Sequence, residues 1–266
     1  MEPLNLEVLI PDSEHECADQ LAELRWGIDG PSCRRCDGRR FGRLKKRPRV
    51  FVCRGCKADN SVTAGTLMHG CHVPLRHWFL ASILLSRTGG CTAKELQRRT
   101  EVTYETAWEL LHRIRSAVAD SHPNLVGQLA ALSTGVATTR PYRCGSHGRN
   151  RNPSTIAGIM GVSGVVLQQI PWAMDVVEWA ERLQNKPIAE ATRGSVLWFA
   201  LRKLAWQIGR IHCGVSERWL RNYASEIQHR ENDVVCGFLK ASMHGIRTRF
   251  VDLRPPFEPE WNSGFS

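Results

Sequence analysis

Four cysteines carry the clearest chemistry in this sequence. Cys33 and Cys36 form one C-x-x-C pair, and Cys53 and Cys56 form a second. The spacer between the pairs has the length that closes a zinc site. Each pair sets two thiolates on one tight turn. Four thiolates complete a tetrahedron with no position left for water or substrate, so the expected ion is a structural Zn²⁺. Unrelated core cysteines rarely fall in two spaced pairs. His15 and His72 are also able to bind metal, but two complete pairs leave them no vacancy. The spacer is strongly basic (Arg39, Arg40, Arg43, Lys45, Lys46, Arg47, Arg49), and Val50, Phe51 and Val52 read as a strand entering the second pair. Together these features predict a zinc ribbon with a cationic hairpin.

Composition sets the frame around this module. A chain of 266 residues with 42% hydrophobic content holds one or two compact domains beside a small metal module. A formal net charge of +10 and a pI near 9.4 favour a polyanionic partner, most often nucleic acid. The other six cysteines (Cys17, Cys71, Cys91, Cys144, Cys213, Cys236) are scattered singly, which suits a reducing compartment better than a disulfide scaffold. The N-terminus is acidic, without the apolar run of a signal peptide, and no segment is apolar for long enough to span a bilayer. The expectation is a soluble cytoplasmic protein, with no membrane partner and no small-molecule substrate.

The flanking elements follow from capping and periodicity. Asp12 or Ser13 caps a helix through Cys17, Leu21, Leu24 and Arg25. After the ribbon, Ser61–Thr63 alternates like a closing strand. Pro74 opens a helix that is apolar nearly all round from Trp78 to Leu85, and Gly89–Gly90 closes it. Thr92 with Glu95 marks a short helix to about Arg99. Thr103 caps a second, carrying Ala107, Leu110, Leu111, Ile114 and Val118 at spacings of three and four. Two short helices across a tight turn, the second basic through Arg113 and Arg115, read as a helix-turn-helix or as an ordinary helical hairpin. In the former, Thr103, Tyr104, Glu105 and Thr106 meet base edges, while Trp108 serves either the bases or the core. From Ser121 to Met174 there is no acid. Within that stretch Leu129–Leu132 and Ile156–Val166 read as neighbouring strands, with a basic loop, Pro141–Pro153, between them. Helices are expected at Asp175–Leu183, Val196–Ile208, around Trp219–Ile227 and at Val234–Met243, then an irregular Pro-rich tail.

Three segments, CRRCDG, FVCRGCKADNSVTAGTLMHGCHVPLRHWF and TAKELQRRTEVTYETAWELLHRIRSAV, resemble the zinc-ribbon insertion-sequence transposases of the IS fifteen-ninety-five family, the ISXO-like group. The later HCGVSERWLRNYASEIQHREND resembles that family's last helices more weakly. The resemblance implies a ribbon and helix-turn-helix that bind transposon ends, followed by an RNase-H-like core whose acids hold two Mg²⁺. It also implies a degenerate core here. The family's first catalytic Asp falls on Leu132 and the following Glu on Ser133, with Thr134 retained. The segment expected to hold the second Asp is shortened, and the third acid falls near Ser195. Asp175, Glu178, Glu181 and Glu190 remain, and the first three have the spacing of one solvated helix face.

These readings combine into an α+β, multi-domain protein: an N-terminal helical arm at 1–32, zinc ribbon at 33–66, helix-turn-helix domain at 67–122, truncated RNase-H-like core with C-terminal helices at 123–253, and tail at 254–266. The expected function is binding of double-stranded DNA by a catalytically inactive transposase derivative. Cys33, Cys36, Cys53 and Cys56 hold zinc. Arg39, Arg40, Arg43, Lys45, Lys46 and Arg47 contact phosphate. Thr103, Tyr104, Glu105 and Thr106 read bases, Arg113 assists, and no residue is catalytic. The remnant core offers a homodimer interface. Two alternatives stand: an active transposase using Mg²⁺ through Asp175 and Glu190, and a ribbon that binds a partner protein.

Overall fold

The computed structural model describes residues 10–27, 29–87, 89–121, 131–139, 154–161, 164–170, 189–190, 192–212, 215, 217–232 and 237–244. Helices and sheets are both present, as an α+β protein requires. The chain divides into two compact units. The first holds the chain to Arg87, Ala93–Ala117 and the C-terminal helix. The second holds the elements between Val118 and Val234.

In the first unit, α1 (Glu14–Trp26) starts where its sequence demands. The Ser13 hydroxyl accepts the Glu16 N–H, and the Glu16 carboxylate accepts the Ser13 N–H, so two orphan donors are satisfied reciprocally. The helix buries Cys17, Ala18 and Leu21. The ribbon is an antiparallel sheet in the order β1 (Phe41–Leu44), β2 (Arg47–Cys53), β3 (Asp59–Ser61). Between Arg43↔Phe51 and Leu44↔Arg47 the register slips, which bends β2 around Arg49. The closing strand lies two residues earlier than the Ser61–Thr63 expected from alternation. Beyond it the Val62 N–H still donates to Arg49 O at 2.9 Å, and the Arg25 guanidinium donates to Val62 O at 2.5 Å and Ala64 O at 2.6 Å.

The helix α2 (Leu75–Ser86) buries Leu75 and every side chain from Trp78 to Leu85, matching its all-round apolar pattern. It ends at Ser86, before the glycine pair, with the Ser86 hydroxyl donating to Ile83 O at 2.7 Å. Pro74 gives its first turn no side-chain acceptor. Glu14 of α1 supplies one, accepting the Leu75 N–H at 2.9 Å. The other Glu14 oxygen takes Arg49 at 2.7 Å, and Arg49 also donates to the Cys71 and Val73 carbonyls at 2.8 and 2.9 Å. One ion pair therefore joins α1, the bend of β2 and the entrance to α2.

α3 (Ala93–Thr100) and α4 (Tyr104–Ser121) flank a three-residue turn. Glu101 takes the left-handed conformation (φ 58°), and its N–H returns to Gln97 O at 2.8 Å. The Thr103 hydroxyl then accepts the Thr106 N–H at 3.2 Å, the cap expected of it. The C-terminal helix (Gly237–His244, α7 below) packs against α2, and the Ser242 carbonyl accepts the Leu67 N–H at 3.3 Å.

The second unit is built on β4 (Ala131–Thr139), β5 (Ser154–Gly161), β6 (Gly164–Ile170) and β7 (Ala189–Glu190), ordered β6-β5-β4-β7. The first three run antiparallel, and β7 lies parallel to β4. The apolar run Ile156–Val166 is thus two strands of a hairpin rather than one. α5 (Val196–Trp206) continues into a π-helical turn (Gln207–Ile211), and α6 (Glu217–Asn232) follows. Leu197, Leu201, Leu204, Ile208, Leu220 and Ile227 close over Ile156, Val165 and Leu167. The approach is close enough that a Cβ at Gly158 would sit 2.6 Å from Leu197 Cδ1. β6 is an edge strand, and α6 covers its open hydrogen bonds. Asn232 accepts the Val165 N–H at 2.7 Å and donates to its carbonyl at 2.6 Å, while Gln228 accepts the Leu167 N–H at 2.9 Å. The expected Asp175–Leu183 helix, the Pro141–Pro153 loop and the Pro-rich tail lie outside the described residues.

Removing one partner of the Glu14–Arg49 pair strands the other and opens the first turn of α2. Glu14→Ala is expected to cost about 2–3 kcal/mol in urea unfolding, below the cost for a fully buried pair because both side chains keep some solvent. The double variant Glu14→Ala/Arg49→Met should lose less than the sum of the single changes.

Candidate metal centre and nucleic-acid face

The two C-x-x-C pairs fold as near-copies. In the first, the Cys33 N–H donates to Gly38 O at 3.0 Å and the Asp37 N–H to Cys33 O at 2.8 Å. In the second, the Cys53 N–H donates to Ala58 O at 2.9 Å and the Lys57 N–H to Cys53 O at 3.0 Å. The residue after each pair is left-handed, Asp37 at φ 53° and Lys57 at φ 61°. These turns bring all four sulfurs within 4.8 Å of one another, with Cys33 and Cys56 Sγ 3.5 Å apart and Cys36 and Cys53 Sγ 3.6 Å apart. A tetrahedral zinc thiolate site with its usual bond length puts sulfurs about 3.8 Å apart. Donor type, number and spacing fit a closed structural zinc. Gly38 gives the cluster room: a Cβ there would lie 3.3 Å from Cys36 Sγ. Among the described residues no other group of three or more metal-binding side chains converges.

The thiols are graded for ionisation. The Arg35 N–H, 3.5 Å from Cys33 Sγ, is the main cause that brings this thiol down to about 6. Cys53 is lowered chiefly by the Cys56 N–H. At Cys36 the Gly38 N–H favours the thiolate, but proton sharing with Cys56 and Cys53 outweighs it and pushes the group up to about 12. Each turn thus offers one ready thiolate, and the cation displaces the remaining protons. Cys17, by contrast, is raised to about 11, first by burial and then by Glu14, and is an inert core thiol.

The residues expected to touch phosphate do not share one environment. Arg39, Arg40, Lys45 and Lys46 are exposed and have no acidic partner among the described residues. Arg47 is exposed but bonds Asp59 at 2.6 Å. Arg43 is half-buried, with its guanidinium 3.0 Å from Asp19 and 4.1 Å from the Phe51 ring centroid. Arg34, Arg35, Arg54 and Lys57 add four more exposed cations. Residue type and spacing do not single them out, because they fill the unspecified positions within and beside the two C-x-x-C turns. From Cys33 to Ser61 the ribbon carries eleven Lys and Arg (Arg34, Arg35, Arg39, Arg40, Arg43, Lys45, Lys46, Arg47, Arg49, Arg54, Lys57) against Asp37 and Asp59.

At α4, Thr103, Tyr104 and Glu105 are exposed and Thr106 is partly so. Beyond this first turn the helix goes inside. Leu110 through Arg115 are buried, Arg113 binds Glu109, and the Trp108 ring stands 4.0 Å from that of His112. In the second unit the register sets Ser133 beside Ala189 and Thr134 beside Glu190, and the Ser195 hydroxyl caps α5 by accepting the Trp198 N–H at 3.2 Å. Glu190 is the one acid among the residues of the four strands. Asp175 lies outside the described residues.

Cys53→Ser should abolish zinc uptake, seen as loss of metal by mass spectrometry and of the cobalt–thiolate absorption. Zinc affinity should decline with falling pH and decline more steeply below about 6, where Cys33 also holds a proton that the metal must displace. Residues 12–59 match the family model described as the transposase zinc-ribbon domain, of the IS1595 type, a span that includes α1 along with the metal turns. No curated protein matches the chain. No solved structure matches it either. The stretch 12–59 is therefore a transposase-type ribbon whose four cysteines are positioned for a structural zinc.

Proposed function

We propose that this chain is a duplex-DNA-binding protein derived from an insertion-sequence transposase, and that its core does not cut DNA. The zinc ribbon (33–66) and helix-turn-helix (67–122) bind, and the segment 123–253 is a remnant of the catalytic domain. The observation that carries the reading is the match of residues 12–59 to a transposase ribbon whose cysteine-bearing part, from Cys33 to Ser61, exposes nine Lys and Arg against Asp37 and Asp59. Arg39, Arg40, Lys45 and Lys46, without acidic partners among the described residues, are the main phosphate contacts, joined by Arg34, Arg35, Arg54 and Lys57. Arg43 and Arg47 sit on Asp19 and Asp59, so their contribution requires a switch of partner. Base reading falls to the exposed first turn of α4, Thr103 to Thr106. Arg113, buried on Glu109, supports that helix from inside.

Two features support the view of the core. Three antiparallel strands, with a fourth parallel beside the first and a helix after it, follow the strand order of an RNase-H-like sheet. Two-metal phosphoryl transfer needs carboxylates from several elements around ions about 4 Å apart. Here β4 offers Leu132, Ser133 and Thr134, α5 is capped by Ser195, and Glu190 is the one acid among the described residues of the sheet. One strand-borne carboxylate does not hold two Mg²⁺.

Binding to a labelled duplex followed over a salt series tests the reading. Affinity should fall steeply with salt, and Lys45→Gln/Lys46→Gln should weaken binding evenly across sequences and reduce the salt slope by about 2. Strands should stay intact in Mg²⁺ or Mn²⁺. Metal-dependent nicks would make the chain an enzyme, and salt-insensitive, weak association would point to a protein partner for the ribbon.

A further inference from the structure

The second unit carries a surface that the ribbon-based reading does not use. α5 is sharply two-faced. Leu197, Ala200, Leu201 and Leu204 are buried in the core of this unit. On the opposite side Phe199 is 49% exposed and Trp206 is 54% exposed, and Val196 in the first turn is 49% exposed. Large apolar side chains left half in water on one helix stripe mark a contact surface rather than scatter. Arg202 and Arg210 are exposed and fall on the same stripe at spacings of three and four from these residues. The Arg202 guanidinium is already stacked, 4.6 Å from the Trp198 ring centroid.

The charge around this stripe selects its partner. From Thr192 to His212 there are four Lys and Arg (Arg193, Arg202, Lys203, Arg210) and no acid. Lys203 is held by Glu231 at 2.7 Å, while Arg193, Arg202 and Arg210 have no acidic partner among the described residues. A second copy of the chain is a poor occupant, because a two-fold contact centred here would set Arg202 and Arg210 against their own copies. A polyanion with flat apolar faces fits both halves of the pattern. Single-stranded nucleic acid offers phosphates for the arginines and unstacked bases for Phe199 and Trp206. In a duplex the bases are stacked away and only the charge would be served.

We propose that the outer face of α5 is a single-stranded DNA site, separate from the duplex site on the ribbon. Phe199 and Trp206 stack bases, and Arg202 and Arg210 hold the backbone. The proposal does not depend on the ribbon binding duplex, since the residues lie in different units.

The test uses the zinc-loaded full chain and a labelled oligothymidylate of about twenty nucleotides, read by anisotropy, with a labelled duplex of equal length in parallel. Phe199→Ala and Trp206→Ala should each weaken oligothymidylate binding about tenfold. Duplex affinity should stay unchanged, and the melting temperature should fall by no more than a few degrees, because about half of each side chain is already in solvent. Arg202→Gln/Arg210→Gln should flatten the salt dependence for the single strand alone, whereas Lys45→Gln/Lys46→Gln should affect the duplex alone. Absence of oligothymidylate binding, or equal binding by the native and aromatic variants, overturns the proposal. So does competition by poly-glutamate as effective as by oligothymidylate, which would make the face a general anion surface. A concentration-dependent dimer abolished by Trp206→Ala would assign the face to a second copy instead.

Discussion

Four thiolates within 4.8 Å of one another cannot all be charged without a cation among them. The ribbon depends on that constraint. Between Cys33 and Ser61 the side chains removed from water are Cys33, Phe51 and Cys53, far short of a hydrophobic core. A module with so little buried apolar surface folds on the free energy of its metal. Its eleven cations add mutual repulsion, which the ion does not relieve but which the chain tolerates once the two turns are pinned. The same charge makes the surface useful toward a polyanion.

What the metal fixes is passed on by polar contacts more than by packing. β2 enters the second metal turn and carries Arg49 in its bend, and Arg49 reaches Glu14, Cys71 and Val73. Glu14 in turn closes the first turn of α2. Arg25 and Arg43 make similar bridges from α1 and from β1, to the Val62 and Ala64 carbonyls and to Asp19. α1, which lies within the matched span, is the part against which the ribbon is braced. These contacts make Arg25, Arg43 and Arg49 structural fasteners, whereas Arg39, Arg40, Lys45 and Lys46 face water.

Local signals in the sequence were legible and long-range ones were not. The metal turns, the Ser13 and Thr103 caps and the Val50–Val52 strand follow from spacing and capping chemistry that act within a few residues. The all-round apolar α2 was visible as a buried helix for the same reason. Charge alone did not separate Arg49 and Arg43, which are fasteners, from Lys45 and Lys46, which are not, because the difference lies in acids supplied by another element. Nor does periodicity tell that Arg113 turns inward while Tyr104 stays out, or that Gly237–His244 returns to α2 across the whole chain. Large aromatic side chains at helical spacing usually pack inward, yet α5 turns Leu197, Ala200 and Leu204 into the core and leaves Phe199 and Trp206 half in water.

The central claim is that a closed zinc–thiolate site organises the cationic surface that holds duplex DNA. The most direct measurement is a native-gel shift of one duplex by the same protein preparation in zinc-loaded form, after chelation under reducing conditions, and after zinc is returned. The account predicts that the shift disappears with the metal and comes back with it, in step with the ribbon's zinc content. A shift of equal strength from metal-free protein, with the thiols shown to be free, would contradict it.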